Sequence, residues 1–231
     1  MTAGIRSDLE RWTALGAELV TSPRVHRPSS FSALLASAVQ DTAGEVVVDT
    51  GCGAGLVTIA ALMADAQHVI AQDYDANCLI DTAANVERLL GPAARQRLTL
   101  WEADWRQLGP MRADVLAVNP PQRPTALLED VDDDVLHLHD GGGDDGFAGL
   151  RMVLGHAGTP RVRTTAAAVL DLPAAAPDLC GSRWSAPSVL THAHLPLDPA
   201  WHRLVPELIG RVDVWEFTRP PPSHGDGTLT W

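Results

Sequence analysis

An asparagine followed by two prolines and a glutamine, Asn119-Pro120-Pro121-Gln122, stands directly behind the apolar run 114–118 (DVLAV). At the end of a strand, an asparagine carbonyl and a rigid proline carbonyl can each accept one hydrogen of an NH2 group. Together they aim the nitrogen lone pair at an electrophile and stabilise charge as it develops. Asn119 and Pro120 are therefore the candidate catalytic pair. Pro121 and Gln122 complete the substrate side, where Gln122 offers hydrogen bonds to a polar acceptor.

A second constellation lies upstream. In VVVDTGCGAG (46–55) a β-branched run delivers Asp49 into a turn with Gly51, Gly53 and Gly55, ahead of the apolar stretch 56–66. Glycines there let backbone approach a ligand closely and take up positive φ. The dinucleotide fingerprint places its glycines first, third and sixth, whereas the sixth position here is Leu56. About 20 residues further on, HVIAQDYD ends in Asp73, and a carboxylate at that distance can accept both ribose hydroxyls of an adenosine-containing cofactor. Asp75 competes for that role but reads better as a helix cap. Tyr74 is a candidate to lie against the adenine. After the third apolar run comes Glu102-Ala103-Asp104-Trp105. Trp105 could stack on a ring, and the same pair reads equally well as a helix cap with a core tryptophan.

These residues need a scaffold that brings strand ends together, and the chain supplies one. Strands are expected at 45–49, 68–72, 97–101 and 114–118, alternating with helices at 56–66 and from Asp75 to about Leu90. That alternation is the signature of a parallel doubly wound sheet. A helix is expected over 145–156 and a fifth strand over 164–172. The stretches 189–195 and 212–218 read as an antiparallel pair at the sheet edge. Ahead of this domain, 8–20 has a helical apolar pattern in Leu9, Trp12, Leu15 and Leu19, 21–30 reads as a loop, and Ser29 or Ser30 caps a helix over 31–40. The expected organisation is an N-terminal helical segment (1–40), one α/β domain (41–219) and a proline- and glycine-rich flexible tail (220–231).

Composition excludes several classes. The chain has 231 residues, a net charge of -12 and 17 basic residues, all arginine and scattered. A strongly acidic surface repels a phosphate backbone, so nucleic acid is not expected as a partner. No apolar run approaches a membrane span, and the N-terminus lacks a secretory h-region, so a cytoplasmic protein without membrane contact is expected. Cys52, Cys78 and Cys180 are odd in number and widely spaced, which fits neither a disulfide framework nor a zinc site. The pairs His137/His139 with Asp140, and His192/His194, suggest metal only superficially, since no third ligand is evident. No metal is therefore expected. The acidic run 131–134 reads as a solvated loop near the substrate mouth.

The GxGxG turn preceded by Asp49 resembles motif I of class I methyltransferases. Asn119-Pro120-Pro121-Gln122 is similar to the Asn-Pro-Pro-Tyr motif of the HemK-like branch, whose members methylate planar nitrogens. HDGGGDDGFAGLRMVL (139–154) is similar to the glycine-and-acid run of that branch's protein-glutamine methyltransferases, and VHRPSSFSALLASAV (25–39) to the segment of compact members that lies across the cofactor. The resemblance covers about residues 24–172. It implies a Rossmann-like, mostly parallel seven-stranded sheet with helices on both faces, and S-adenosyl-L-methionine as cofactor. It also implies that the turn around Asp49, Gly51, Gly53 and Gly55 holds the methionine end, that Asp73 holds the ribose, and that Asp104 with Trp105 holds the adenine. Asn119 would then face the sulfonium methyl, and His26, in the segment over the cofactor, is a candidate general base.

Two departures bear on the acceptor. Gln122 replaces the aromatic fourth residue, and no separate N-terminal substrate domain is apparent. Both point to a small-molecule amine or amide. Protein glutamine is the alternative, with oxygen or sulfur acceptors, a non-catalytic partner subunit and a nicotinamide-dependent oxidoreductase further off. A homodimer is compatible with the sequence.

Overall fold

The computed structural model describes residues 3–128 and 141–220. The acidic run 131–134, His137, His139, Asp140 and the tail beyond 220 lie outside the described residues. Seven strands form one sheet in the order β3-β2-β1-β4-β5-β7-β6. They are β1 (Val46–Thr50), β2 (His68–Asp73), β3 (Leu98–Glu102), β4 (Val115–Val118), β5 (Arg161–Ala167), β6 (Ser188–Pro196) and β7 (Ile209–Thr218). The first five run parallel, while β7 pairs antiparallel with both β5 and β6. The fold class expected from the alternating runs is thus the one observed.

Strand alternation explains how both faces are covered. Val47, Val115 and Ala117 face a core shared with α1 (Ala3–Glu18), α2 (Ser30–Ser37), α3 (Leu56–Met63) and α4 (Ala76–Gln96). Val48, Leu116 and Val118 face a second core, shared with α5 (Ala148–His156) and α6 (Leu172–Cys180). A side-chain period of two with both faces apolar gives the near-continuous β-branched runs of a doubly covered parallel sheet. The order reverses between β1 and β4, so a crevice opens beyond their carboxyl ends. Thr50 is level with Val118 across that pair, which places the glycine turn and Asn119 side by side.

Three elements depart from the sequence reading. The fifth strand starts at Arg161, not 164, because two arginines in a buried strand are neutralised from a distance. Arg163 is 2% exposed, and its guanidinium bonds Glu216 at 2.7 Å, Asp41 at 2.5 Å and the Ala38 carbonyl at 2.6 Å. Arg163 in turn holds the Asp41 carboxyl below its usual range. The strand then ends at Ala167, and the unexpected α6 follows, with Asp171 accepting from the Ala174 N–H to cap it. Finally, α4 continues past Leu90 to Gln96 across a kink where Gly91 takes φ 78.

Candidate active site

At the switch point the sequence-predicted residues come together. Asp49, Gly51, Gly53, Asp73, Tyr74, Asp104, Trp105, Asn119, Pro120, Pro121, Gln122 and His26 all line one cavity of about 530 Å³, within the range of small-molecule sites. Gly55 does not line it. With φ 89 Gly55 is the N-cap of α3, and a Cβ there would stand 2.9 Å from the Thr82 side chain and 3.1 Å from its Cα. That position needs glycine for the close approach of α3 to α4.

Asp49 builds the turn. A glycine N-cap has no side chain for the first helical N–H groups. The buried Asp49 carboxylate replaces it, accepting from the Thr58 N–H at 2.8 Å and the Thr58 hydroxyl at 2.6 Å. Burial pushes the carboxyl up from 3.8 to about 6 against those two hydrogen bonds. A carboxyl with a higher pKa folded than unfolded favours the fold when protonated. That contribution is full below about pH 4 and is lost as pH rises through about 6. Two units correspond to about 3 kcal/mol. Asp49→Asn keeps an acceptor for Thr58, so its melting temperature relative to the unmodified protein should rise by on the order of 5–10 °C between about pH 4 and about pH 7. Thermal unfolding followed by circular dichroism measures this, and a pH-independent difference would show that Asp49 stays ionised throughout.

Asp73 closes the turn from the next strand. One carboxylate oxygen accepts from the Gly53 N–H and the other from the Asp75 N–H, both at 3.1 Å. A carboxylate offers about four lone-pair sites, so two remain for a diol. Beside it, the Gln72 side chain bonds the Thr50 hydroxyl and the Ala103 carbonyl, tying three strand ends together. Asp75 caps α4 through the Asn77 N–H, as its position suggested, and Tyr74 is exposed at the rim.

Asp104 and Trp105 combine two readings. The Asp104 carboxylate caps a short 3-10 turn in a capping box with Gln107 and grips Arg106 through both oxygens, which holds its pKa at about 2. Trp105 lines the cavity and also packs on α5, where a Cβ on Gly149 would stand 3.1 Å from its ring and 3.2 Å from Pro120. Cys52 and Cys78 are buried, and burial pushes both thiols up, as suits packing residues.

On the acceptor side the Asn119 amide is held from two elements. Its oxygen accepts from the Thr165 hydroxyl on β5 at 2.6 Å, and its NH2 donates to Ser32 on α2 at 3.2 Å. Gln122 is 8% exposed and accepts from the Ala167 N–H at 2.8 Å. The glycine run after position 140 packs on this loop. The Gly142 N–H bonds the Arg123 carbonyl at 2.7 Å, and the Thr125 N–H bonds the Gly143 carbonyl at 2.8 Å.

Sequence reading missed the residues that lock and roof the cavity. Asp81 and Asn85 on α4 grip the chain ahead of α2: Asp81 accepts from the Ser22 N–H at 2.6 Å, and Asn85 exchanges hydrogen bonds with the Val20 backbone. The segment 26–32 is thereby laid across the cavity. Opposite, the turn between β6 and β7 contributes Asp198 and the buried Trp201, with Asp198 3.5 Å from the Arg123 guanidinium. Among the described residues no cluster of His, Cys, Asp and Glu could hold a metal, and no helix is long and apolar enough to cross a membrane. His192 and His194 lie on the exposed face of β6.

Comparison with known proteins finds methyltransferases by sequence and by fold. Residues 30–120 match the family model described as ribosomal protein L11 methyltransferase. The enzyme of that name from Acinetobacter baumannii (strain SDF) is 34% identical over 100 residues, 43% of this chain and 33% of that one. A Methanocaldococcus jannaschii protein named "Putative protein N5-glutamine methyltransferase MJ0928" is 26% identical over 129 residues, 56% of this chain and 63% of that one. The chain thus spans about a third of the L11 relative. Two solved structures share the fold at 16% identity. One is the "putative RNA methyltransferase PH1948" of Pyrococcus horikoshii (TM-score 0.61, 96% of this chain and 100% of that one). The other comes from the E. cuniculi Mtq2-Trm112 complex (TM-score 0.60, 85% and 99%), which is described as methylating the termination factor eRF1. Residues 30–120 are thus similar in sequence to a methyltransferase family, and the fold along the described residues is one that solved methyltransferases share.

Proposed function

We propose that this protein transfers a methyl group from S-adenosylmethionine to a nitrogen atom of a polypeptide side chain. The observation that carries the reading is the Asn119 amide, held by Thr165 and Ser32 in the same cavity as Asp73 and the glycine turn. When bound, the cofactor supplies a methyl group on a sulfonium. Asp73 and the turn around Gly51 and Gly53 would hold it, and Trp105 would wall the base. A side chain on Gly53 would meet no atom within 4 Å, so glycine there leaves open space. Displacement at a methyl group asks mainly for positioning. Asn119 Oδ1 and the Pro120 carbonyl would accept the two hydrogens of an NH2 group and hold its lone pair in line. His26, exposed at the lip of the cavity, would be the candidate to receive the proton released afterwards.

The polypeptide acceptor is favoured by the names of the relatives, which specify ribosomal protein L11 and protein N5-glutamine. The small-molecule acceptor expected from sequence rested partly on the lack of a separate substrate domain. The Methanocaldococcus jannaschii protein is shorter than this chain, since 129 residues make up 63% of it, and it carries a protein-directed name. Shortness is therefore no argument against a protein substrate.

The test has two arms. Calorimetry should show micromolar binding of S-adenosylhomocysteine and none of NAD. Incubation with methyl-tritiated cofactor and a cell lysate should place label in acid-insoluble protein, released by acid hydrolysis as methylamine from an N-methyl amide or as an N-methylated amino acid from an amine. Label confined to acid-soluble compounds would return the acceptor to the small-molecule class, and absence of cofactor binding would end the enzyme reading.

A further inference from the structure

We infer that Thr165 is a positioning residue for the acceptor site: its hydroxyl fixes which end of the Asn119 amide faces the incoming nitrogen. Gln122, at the place where the Asn-Pro-Pro-Tyr motif carries its tyrosine, is the strut that sets it. The inference rests on the N-methyltransfer reading and deepens it.

The orientation follows from one donor that cannot be reversed. The Ala167 backbone N–H meets Gln122 Oε1 at 2.8 Å, so that atom must be the amide oxygen. Gln122 Nε2 then points at the Thr165 hydroxyl, 3.4 Å away, and can only donate to it. With its oxygen accepting there, Thr165 has one proton left to give. The atom in reach is Asn119 Oδ1 at 2.6 Å, the short link of the relay. Asn119 therefore presents its oxygen toward β5, and its Nδ2 donates to Ser32 Oγ. Thr165 and Gln122 are 1% and 8% exposed, so water does not readily replace either partner. Reversing the Asn119 amide would leave Thr165 and Nδ2 donor against donor, or strand a buried hydroxyl proton.

A methyl-acceptor NH2 needs an oxygen, not an NH2, at its side. An Asn119 free to turn over would present the wrong end part of the time. The same chain of bonds explains why Gln122 is no stacking platform here, since both ends of its amide are engaged by β5.

The relay can be tested without knowing the acceptor. Sinefungin carries an amine where the cofactor carries its sulfonium methyl, so its affinity relative to S-adenosylhomocysteine reports on the oxygen that faces the amine. Both are titrated calorimetrically into the unmodified protein, Thr165→Val, Thr165→Ser and Asn119→Ala. Thr165→Val should bind S-adenosylhomocysteine within about twofold of the unmodified protein but sinefungin about tenfold more weakly, about 1.4 kcal/mol. Thr165→Ser should restore the ratio, and Asn119→Ala should lose it as Thr165→Val does. An unchanged ratio in Thr165→Val, parallel loss of both ligands, or an unchanged ratio in Asn119→Ala would each overturn the inference while leaving the methyltransferase reading in place. Failure of the unmodified protein to bind either compound would overturn both.

Discussion

Asp73→Ala is expected to lower affinity for S-adenosylhomocysteine by at least about 100-fold. Two hydrogen bonds from ribose hydroxyls to the buried Asp73 side chain would be worth about 1.5 kcal/mol or more each, and 3 kcal/mol is a factor above 100. The alanine variant also leaves the Gly53 and Asp75 N–H groups without their acceptor, which loosens the glycine turn. Asp73→Asn retains one oxygen for Gly53 and should fall between, near tenfold. Asn119→Ala, on the acceptor side, should stay within a few-fold. Calorimetric titration of the three variants separates these outcomes. Full affinity in Asp73→Ala would mean that the ribose is held elsewhere and that Asp73 serves only the backbone of the turn.

The residues behind that prediction were legible because their signals are local. A β-branched run, an acid and spaced glycines occur within ten residues, and Asp73 follows at the end of the next strand. Each can be read without knowing what packs where. The same holds for Asp75, whose capping role depends only on Asn77 two residues away. Reading failed where a residue's partner is far along the chain. Arg161 and Arg163 look like surface charges until Glu45, Asp41 and Glu216 are brought beside them from up to 122 residues away. That β5 brings Ala167 and Thr165 to both ends of the Gln122 amide, while Gln122 still lines the cavity, could not be read locally either. Trp201, in the C-terminal quarter, gave no signal at all, since only the antiparallel return of β6 and β7 carries it to the cavity. The helix α6 was hidden by its prolines: Pro173 sits in the first turn, where a missing N–H costs little, but Pro177 lies inside.

The second large effect is expected behind the Asn-Pro-Pro-Gln loop, at Gly142. A Cβ there would stand 2.6 Å from the Gln122 carbonyl carbon, 2.7 Å from its Cα and 2.7 Å from Gly146 Cα. All three are backbone atoms, so no side chain can swing aside, and the Gly142 N–H is bonded to the Arg123 carbonyl on the same loop. Gly142→Ala must therefore push the glycine run away from the Asn-Pro-Pro-Gln loop or displace that loop. Overpacking of this kind costs about 1–3 kcal/mol, and for a chain of this size the melting temperature should fall by roughly 3–10 °C. Gly155→Ala on α5 is the matched control. Its Cβ meets nothing within 4 Å, and alanine in the last turn of α5 should stabilise by at most about 0.5 kcal/mol. The functional signature distinguishes loop displacement from general loosening. Because the glycine turn at 51–55 belongs to other elements, Gly142→Ala should keep its affinity for S-adenosylhomocysteine at low temperature while losing methyl transfer to protein. Equal loss of cofactor affinity would show that the acceptor loop and the cofactor turn move as one body, and unchanged transfer would show that the close approach at Gly142 does not shape the acceptor site.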